Sequence, residues 1–254
     1  MSEQKRNYGV IAEYNPFHNG HAYHIAQTRR QGADGVVAVM SGHFVQRGEV
    51  AAADKWTRSL CALKNGVDLV LELPLPWAMS TAEHFAQGGI SLLENLGCIT
   101  DISFGSESGD TAALEECARR LSHPAVIEKL KMELARGNSF AAARAIALSS
   151  VFPEGHAASR DFPNDILGIE YCKALQTYGS PMVPHAVRRS GAGHDSHQAG
   201  EGEIVSASYL RLAGLDRRAL ETYTPSSCAK LLSEKQRQQE APSLPERLEL
   251  PVLS

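Results

Sequence analysis

The hydrophobic positions of this chain come in two alternating rhythms. Short unbroken apolar runs at 8–12, 36–40, 68–73 and 101–105 predict strands buried on both faces, since a strand with one wet face shows apolar and polar residues in turn. Between them, segments 22–27, 54–64 and 81–96 read as helices, the last two stopping at Asn65-Gly66 and Gly97. Strand and helix in repetition predict an α/β fold with a parallel sheet and helices on both faces. Helices are also predicted across 112–150, with a break near Gly137-Asn138, and over 164–178 behind Pro163. They make a helical insertion over about 111–180, ahead of a last strand at 182–187. Residues 190–202, rich in Gly, Ser and His, are expected to form a mobile loop. A helix is predicted over 206–215, and the polar tail beyond Pro225 is expected to fray.

In an open parallel sheet, ligands sit beyond the carboxyl ends of the strands. The unusual residues of this sequence collect there. Glu13-Tyr14-Asn15-Pro16-Phe17-His18-Asn19-Gly20-His21 joins the first strand to the first helix. Strand, tight turn, His-x-Gly-His and helix together are suited to holding nucleotide phosphates. Gly20 admits a close backbone approach. The helix start offers unpaired N–H groups and the positive dipole end, worth about 0.3–1 kcal/mol per contact. His18 and His21 supply donors to charge that grows on a phosphate during transfer. Two competing readings stand beside this one. The histidines are helix caps or core residues, or His18, His21 and His24 bind a metal, with Glu13 the carboxylate within that stretch to help them.

Downstream, Ser206-Ala207-Ser208-Tyr209-Leu210-Arg211 places two hydroxyls and a guanidinium at a helix start. Ser206 alone reads as a cap. Ser206, Ser208 and Arg211 together read as a second phosphate grip, because nucleotidyl transfer needs cations and donors around its leaving pyrophosphate. Arg188-Arg189 is either a surface charge pair or a phosphate or adenine contact. Asn164 is either a cap or a ligand contact, and Lys55 and Arg58 face either solvent or the cleft. His194, Asp195 and His197 form a weak metal candidate in the polar loop. The sequence holds no Walker loop and no hydrolase elbow.

The bulk properties narrow the classes. A chain of 254 residues is long enough for one large domain or two small ones. Its net charge of −4 excludes a globally basic nucleic-acid coat, though not a local basic patch. No apolar run reaches the roughly 18–20 residues of a membrane span. The five cysteines are scattered, never paired as C-x-x-C, and no apolar signal core follows the N-terminus. A cytoplasmic protein with reduced thiols is therefore expected.

His18-x-Gly20-His21, followed far downstream by Ser206-Ala207-Ser208-x-x-Arg211, resembles the HxGH nucleotidyltransferase superfamily. The likeness is closer still to the bacterial tRNA(Met) cytidine acetate ligase family. It runs through Val10 and the turn to His21, Ser41-Gly42-His43-Phe44-Val45-Gln46-Arg47-Gly48-Glu49, Gly66-Val67-Asp68-Leu69-Val70-Leu71-Glu72-Leu73-Pro74, Phe104-Gly105-Ser106-Glu107, and Asn164-Asp165-Ile166-Leu167-Gly168-Ile169-Glu170-Tyr171. These ordered motifs cover roughly residues 8–215. The resemblance implies a Rossmann-like nucleotidyltransferase domain over 1–215, with 216–254 a short and partly flexible extension. It implies an ATP-dependent ligase that makes acetyl-adenylate and passes the acetyl group to the wobble cytidine of elongator tRNA(Met), giving N4-acetylcytidine.

Carried over by position, His18, His21 and Arg211 are the catalytic candidates. ATP lies along Ile11, Ala12, Glu13, Tyr14, Asn15, Pro16, Phe17, His18, Asn19, Gly20, His21, Ala22, Tyr23 and His24, with Gly105, Asn164, Arg188, Arg189, Ser206 and Ser208 completing its site. Mg²⁺ is expected to bridge the ATP phosphates rather than occupy a protein cage.

The chain also departs from that family. His43 stands where Asn is usual and His194 where Tyr is usual. Beyond about residue 230 nothing is seen to continue the family, which is longer, and residues 205–254 carry seven Lys/Arg against six Asp/Glu, which is no basic arm. Two other functions stay open at this level: a small-molecule nucleotidyltransferase acting on a phosphopantetheine- or nicotinate-like acceptor, and an ATP-binding module without tRNA modification.

Overall fold

A computed structural model describes residues 5–46, 48–152, 162–189 and 204–243. The chain begins with β1 (Asn7–Ala12), α1 (Asn19–Arg30), β2 (Gly35–Ser41), α2 (Lys55–Lys64) and β3 (Leu69–Leu73). A one-turn α3 (Leu75–Ala78) leads into α4 (Ala82–Asn95) and β4 (Asp101–Ser106). Then come α5 (Thr111–Leu121), α6 (Pro124–Ala135), α7 (Phe140–Val151), α8 (Pro163–Tyr178) and β5 (Val183–Arg188). The chain continues through α9 (Ala207–Leu212), α10 (Arg217–Tyr223) and α11 (Ser226–Arg237). Five parallel strands pair in the order β3-β2-β1-β4-β5. Among the described residues no helix is long and apolar enough to cross a membrane.

The continuous apolar strands are buried on both faces, as their composition predicts. In β2, Val37 and Val39 face a core with Phe85, Ile90 and Leu93 of α4 and with Ile102 and Phe104 of β4. Val36, Ala38 and Met40 face the other way, toward Tyr8, Val10, Phe17, Ile25 and Cys61. The two sets alternate because successive side chains of a strand point to opposite faces. Sheet order places β1 at the centre, so the turn after β1 meets the turns after β2 and β4. The predicted helices start where side chains accept backbone N–H groups: Asp54 caps α2, Thr81 caps α4 and Ser206 caps α9.

The C-terminal part differs from the expectation of a fraying tail. Cys228, Ala229 and Leu232 of α11 are buried, and Ala229 and Leu232 join Leu210, Leu215, Leu220, Ala52 and Ala53 in a third core. The helix holds because it buries an apolar stripe, two adjacent positions and one a turn later, so narrow that a polar average composition hides it. The predicted helix over 206–215 is also interrupted: α9 ends at Leu212, and Gly214 and Leu215 take positive φ before α10. The loop at 190–202, with His194, Asp195 and His197, lies outside the described residues.

Candidate active site

The β1–α1 turn is held in an unusual shape. Tyr14 takes φ +48°, a conformation that favours glycine and that bulky residues adopt only when their surroundings fix it. Its ring is buried against Phe17 and lies edge-on to His21 at 5.0 Å. Asn15 precedes a cis proline, accepts a hydrogen bond from Ala52 N–H through Oδ1 (2.7 Å), and accepts another from Arg211 Nη1 through its carbonyl (2.9 Å). Arg58, buried on α2, donates to the carbonyls of Glu13, Ser41, Gly42 and Ala53. Neither of the simple expectations for Arg58, solvent or cleft, describes it: it ties the ends of β1 and β2 together. Burial holds its pKa down to about 10 against the raising influence of Glu13, Asp54 and Glu72. Lys55 pairs with Glu72 at 2.5 Å.

Two imidazoles close the start of α1. His18, 3% exposed, accepts from Gly20 N–H at Nδ1 (3.0 Å), while His21 Nδ1 accepts from His18 N–H (3.3 Å). This reciprocal cap fixes Nδ1 as the acceptor on each ring, which places each neutral ring's proton on Nε2. The rings lie 3.8 Å apart between centroids. The structure therefore contains the capping role and the paired rings at once. It also gives Gly20 a specific reason: a Cβ there would come within 2.8 Å of His18 Cε1.

His24 turns away from this pair. Its Nε2 lies 2.9 Å from Ser103 Oγ, and its pKa is lowered to about 4, first by burial and then by the Arg189 charge. Among the described residues no group of three or more His, Cys, Asp or Glu is placed to hold a metal.

The downstream segments arrive at the same place. Ser206 Oγ accepts from Tyr209 N–H (3.0 Å) and so caps α9. Arg211 reaches back from α9 to Asn15 and also donates to Ser208 Oγ (3.2 Å), with Glu49 3.7 Å away. On the far side, Glu107 caps α8 by accepting from the backbone N–H groups of Asn164 (3.3 Å) and Asp165 (2.9 Å), and from Asn164 Nδ2 (2.6 Å). Asn164 Oδ1 in turn accepts from Arg189 Nη1 (3.4 Å). Burial lowers the Arg189 pKa, and Glu107 opposes that shift.

These parts enclose a cavity of about 260 Å³ beyond the carboxyl ends of β1, β4 and β5. Ile11, Ala12, Glu13, Tyr14, Asn15, His18, Gly20, His21, Tyr23, His24, Gly105, Asn164, Arg188, Arg189, Ser206, Ser208 and Arg211 all border it. Pro16, Phe17, Asn19 and Ala22 do not: Phe17 is core, Ala22 packs against that core, and Asn19 donates to Thr222 O at 3.2 Å. Sequence reasoning missed an apolar wall of Ala82, Phe85, Phe104, Leu167 and Tyr171. A signal for it was present, because Asn164, Leu167 and Tyr171 stand at i, i+3 and i+7 and share one helix face. Three buried polar atoms on residues bordering the cavity have no hydrogen-bond partner among the described residues: Tyr14 Oη, Asn15 Nδ2 and Tyr171 Oη.

The family model described as HIGH Nucleotidyl Transferase matches residues 5–252, well past the point near 230 where the motif reading stopped. The tRNA(Met) cytidine acetate ligase of Syntrophotalea carbinolica is 47% identical over 210 residues, covering 81% of this chain and 50% of the relative. That of Bacillus subtilis is 42% identical over 234 residues, covering 89% and 56%. The crystal structure of apo Thermotoga maritima TmcAL superposes with a TM-score of 0.88 at 36% identity, covering 96% of this chain and 60% of that one. The same protein bound with alpha-thio ATP superposes at 0.86 and 35% identity. This chain spans about half the length of the curated relatives it matches. With its doubly covered parallel sheet and its His18-x-Gly20-His21 corner, the chain belongs to the HIGH nucleotidyl transferase family.

Proposed function

We propose that this chain binds ATP across the β1–α1 corner and activates acetate as acetyl-adenylate, the first half of a tRNA(Met) cytidine acetate ligase reaction. The observation that carries the proposal is the meeting, at one cavity, of the paired imidazoles, the Ser206–Arg211 segment and the Asn164–Arg189 pair. The activity of relatives named tRNA(Met) cytidine acetate ligase and the alpha-thio ATP held by the Thermotoga protein support the same reading.

In the first step, a carboxylate oxygen of acetate attacks the α-phosphorus, and the bond to pyrophosphate breaks with its electron pair leaving on pyrophosphate. Negative charge rises on the phosphate oxygens, and donors fixed in advance stabilise it more than water does. His18, His21 and Arg211 are the donors at the corner, and the N-terminus of α1 adds its dipole. Asn164 and Arg189 hold the nucleoside end beside Gly105. The corner offers imidazoles, hydroxyls and a guanidinium, with Glu13 and Glu49 nearby, which suits a Mg²⁺ that arrives on the phosphates and keeps most of its waters. Its contribution would be charge neutralisation on the triphosphate. In the second step, the cytidine amine attacks the acetyl carbonyl, AMP departs with the bonding electrons, and the amine proton passes to solvent. Placement of the amine next to a reactive mixed anhydride does most of the work of this step.

The test is incubation of the chain with ATP, labelled acetate and elongator tRNA(Met), with acetyl-adenylate and acetylated tRNA measured separately. The full reading expects both products. Acetyl-adenylate alone assigns this chain the activation half. ATP binding with no acid-dependent pyrophosphate exchange removes the ligase reading.

A further inference from the structure

The α8 wall of the cavity carries a polar group that the phosphate grip leaves unused. Tyr171 is 2% exposed, its ring lies 5.5 Å from Phe104, and its Oη has no hydrogen-bond partner among the described residues. A buried hydroxyl without a partner carries an uncompensated desolvation cost, so it persists where a ligand completes it. Burial and, secondarily, the Glu13 carboxylate push the phenol pKa far up, so the group keeps its proton and acts as a donor.

The surroundings of Tyr171 are apolar and tight. Ile11 of β1, Phe85 of α4, Phe104 of β4 and Leu167 of α8 border the same cavity. Gly168 lets α8 approach β4 closely, since a Cβ there would come within 2.7 Å of the Phe104 ring. This slot belongs to the core face built with α4 and α8. The imidazole pair stands at the start of α1, whose core lies on the opposite face of the sheet. An in-line displacement needs the attacking acid on the opposite side of the α-phosphate from the departing pyrophosphate.

Resting on the acetate-activating reading above, we propose that this slot is the acyl subsite. Ile11, Phe85, Phe104 and Leu167 enclose the methyl group of acetate, and Tyr171 Oη donates a hydrogen bond to the carboxylate oxygen that becomes the acyl carbonyl. The other carboxylate oxygen makes the new bond to phosphorus, and the phenol proton stays on Tyr171 throughout. The slot thereby selects a two-carbon acid: a longer chain meets Leu167 and the Phe104 ring, and an acid-free adenylate leaves Tyr171 unpaired. Tyr171 is a specificity-determining residue, separate from the groups that grip the triphosphate.

The experiment measures binding of the whole chain to 5′-O-sulfamoyladenosine and to its N-acetyl, N-propionyl and N-butyryl derivatives, with melting temperatures recorded for each variant. The wild type is expected to prefer the acetyl compound over both the unacylated and the longer ones. Tyr171→Phe should weaken the acetyl compound by about tenfold, the loss of one hydrogen bond, and leave the unacylated compound unchanged. Its melting temperature should stay level or rise, because the change removes only an unpaired buried oxygen. Leu167→Ala should shift preference toward the propionyl or butyryl compound by about tenfold or more. Where acetate-dependent exchange is measurable, Tyr171→Phe should raise KM for acetate and leave KM for ATP unaltered. Equal weakening of all four compounds by Tyr171→Phe would assign the slot to the base and overturn the proposal, and so would no change in any of them. A wild type that binds none of the four overturns the nucleotide reading itself, and the subsite with it.

Discussion

The two walls of the cavity are built in opposite ways. The α1 wall is braced by polar contacts: His18 and His21 cap one another's segment, Asn15 is held by Ala52 and Arg211, and Arg58 ties the turn from beneath, which leaves Tyr14 Oη and Asn15 Nδ2 as its buried polar atoms without a partner among the described residues. Beyond Asn164 the α8 wall is apolar, and its Tyr171 hydroxyl has no hydrogen-bond partner among the described residues. A phosphate grip gains from donors locked in place before the ligand arrives, because no reorganisation is needed as charge develops. An acyl slot gains instead from a shape that fits and from one donor that only the right ligand completes. A network of fixed polar contacts and an apolar slot with one donor are separate devices, and one cavity can use both.

Four changes test this contrast, and the largest effect belongs to the braced wall. His21→Ala is expected to cost about 2.7–4 kcal/mol in acetate-dependent pyrophosphate exchange while changing folding stability by about 1 kcal/mol or less. Exchange kinetics and thermal unfolding of the same sample separate the two. Gly20→Ala comes next. The added methyl displaces the His18 ring and should weaken ATP binding by about 1–3 kcal/mol, read by calorimetry, without altering the α8 wall.

His24 offers a pH signature of the same wall. Its folded pKa is lowered from 6.5 to about 4, so the unfolded chain takes up the proton first as pH falls. Its contribution to stability is fully present above pH 6.5 and is lost as pH drops toward 4. Wild-type stability should fall by about 2 kcal/mol more across that window than His24→Gln, measured by denaturant unfolding at each pH. The smallest effect is expected from Arg188→Ala. Arg188 is exposed at the rim whereas Arg189 is held by Asn164, so the change should alter ATP affinity by about 0.5 kcal/mol or less. A loss as large as that of Arg189→Ala would shift the nucleoside contact to the rim.

The same contrast decides what the sequence reveals. The α1 wall is contiguous, one turn of nine residues, so its chemistry reads directly from Glu13 to His21. The parallel sheet was legible for a similar reason, because unbroken apolar runs between helical segments admit few architectures. The α8 wall was not, because Phe85, Phe104, Leu167 and Tyr171 come from three elements and each reads as an ordinary core residue. Only the i, i+3, i+7 alignment of Leu167 and Tyr171 with Asn164 marks them as a cavity face. Glu107 was quoted within a motif, but its capping of α8 depends on β4 and α8 meeting across 57 residues of chain. Pro16, Phe17 and Ala22 show the opposite case: they adjoin His18 in sequence but do not border the cavity, and strand and helix geometry turn Phe17 and Ala22 toward the core. The C-terminal helix was hidden because three buried positions in twelve residues barely change its polarity.

A crystal structure of the chain with a nonhydrolysable adenosine triphosphate analogue would show directly whether the two imidazoles grip the triphosphate. Phosphate oxygens should lie within hydrogen-bond distance of His18, His21 and Arg211, with the base beside Gly105 and Asn164 and the slot under Tyr171 left open for an acid. An analogue whose base fills that slot, or whose triphosphate bypasses the two imidazoles, would contradict this arrangement.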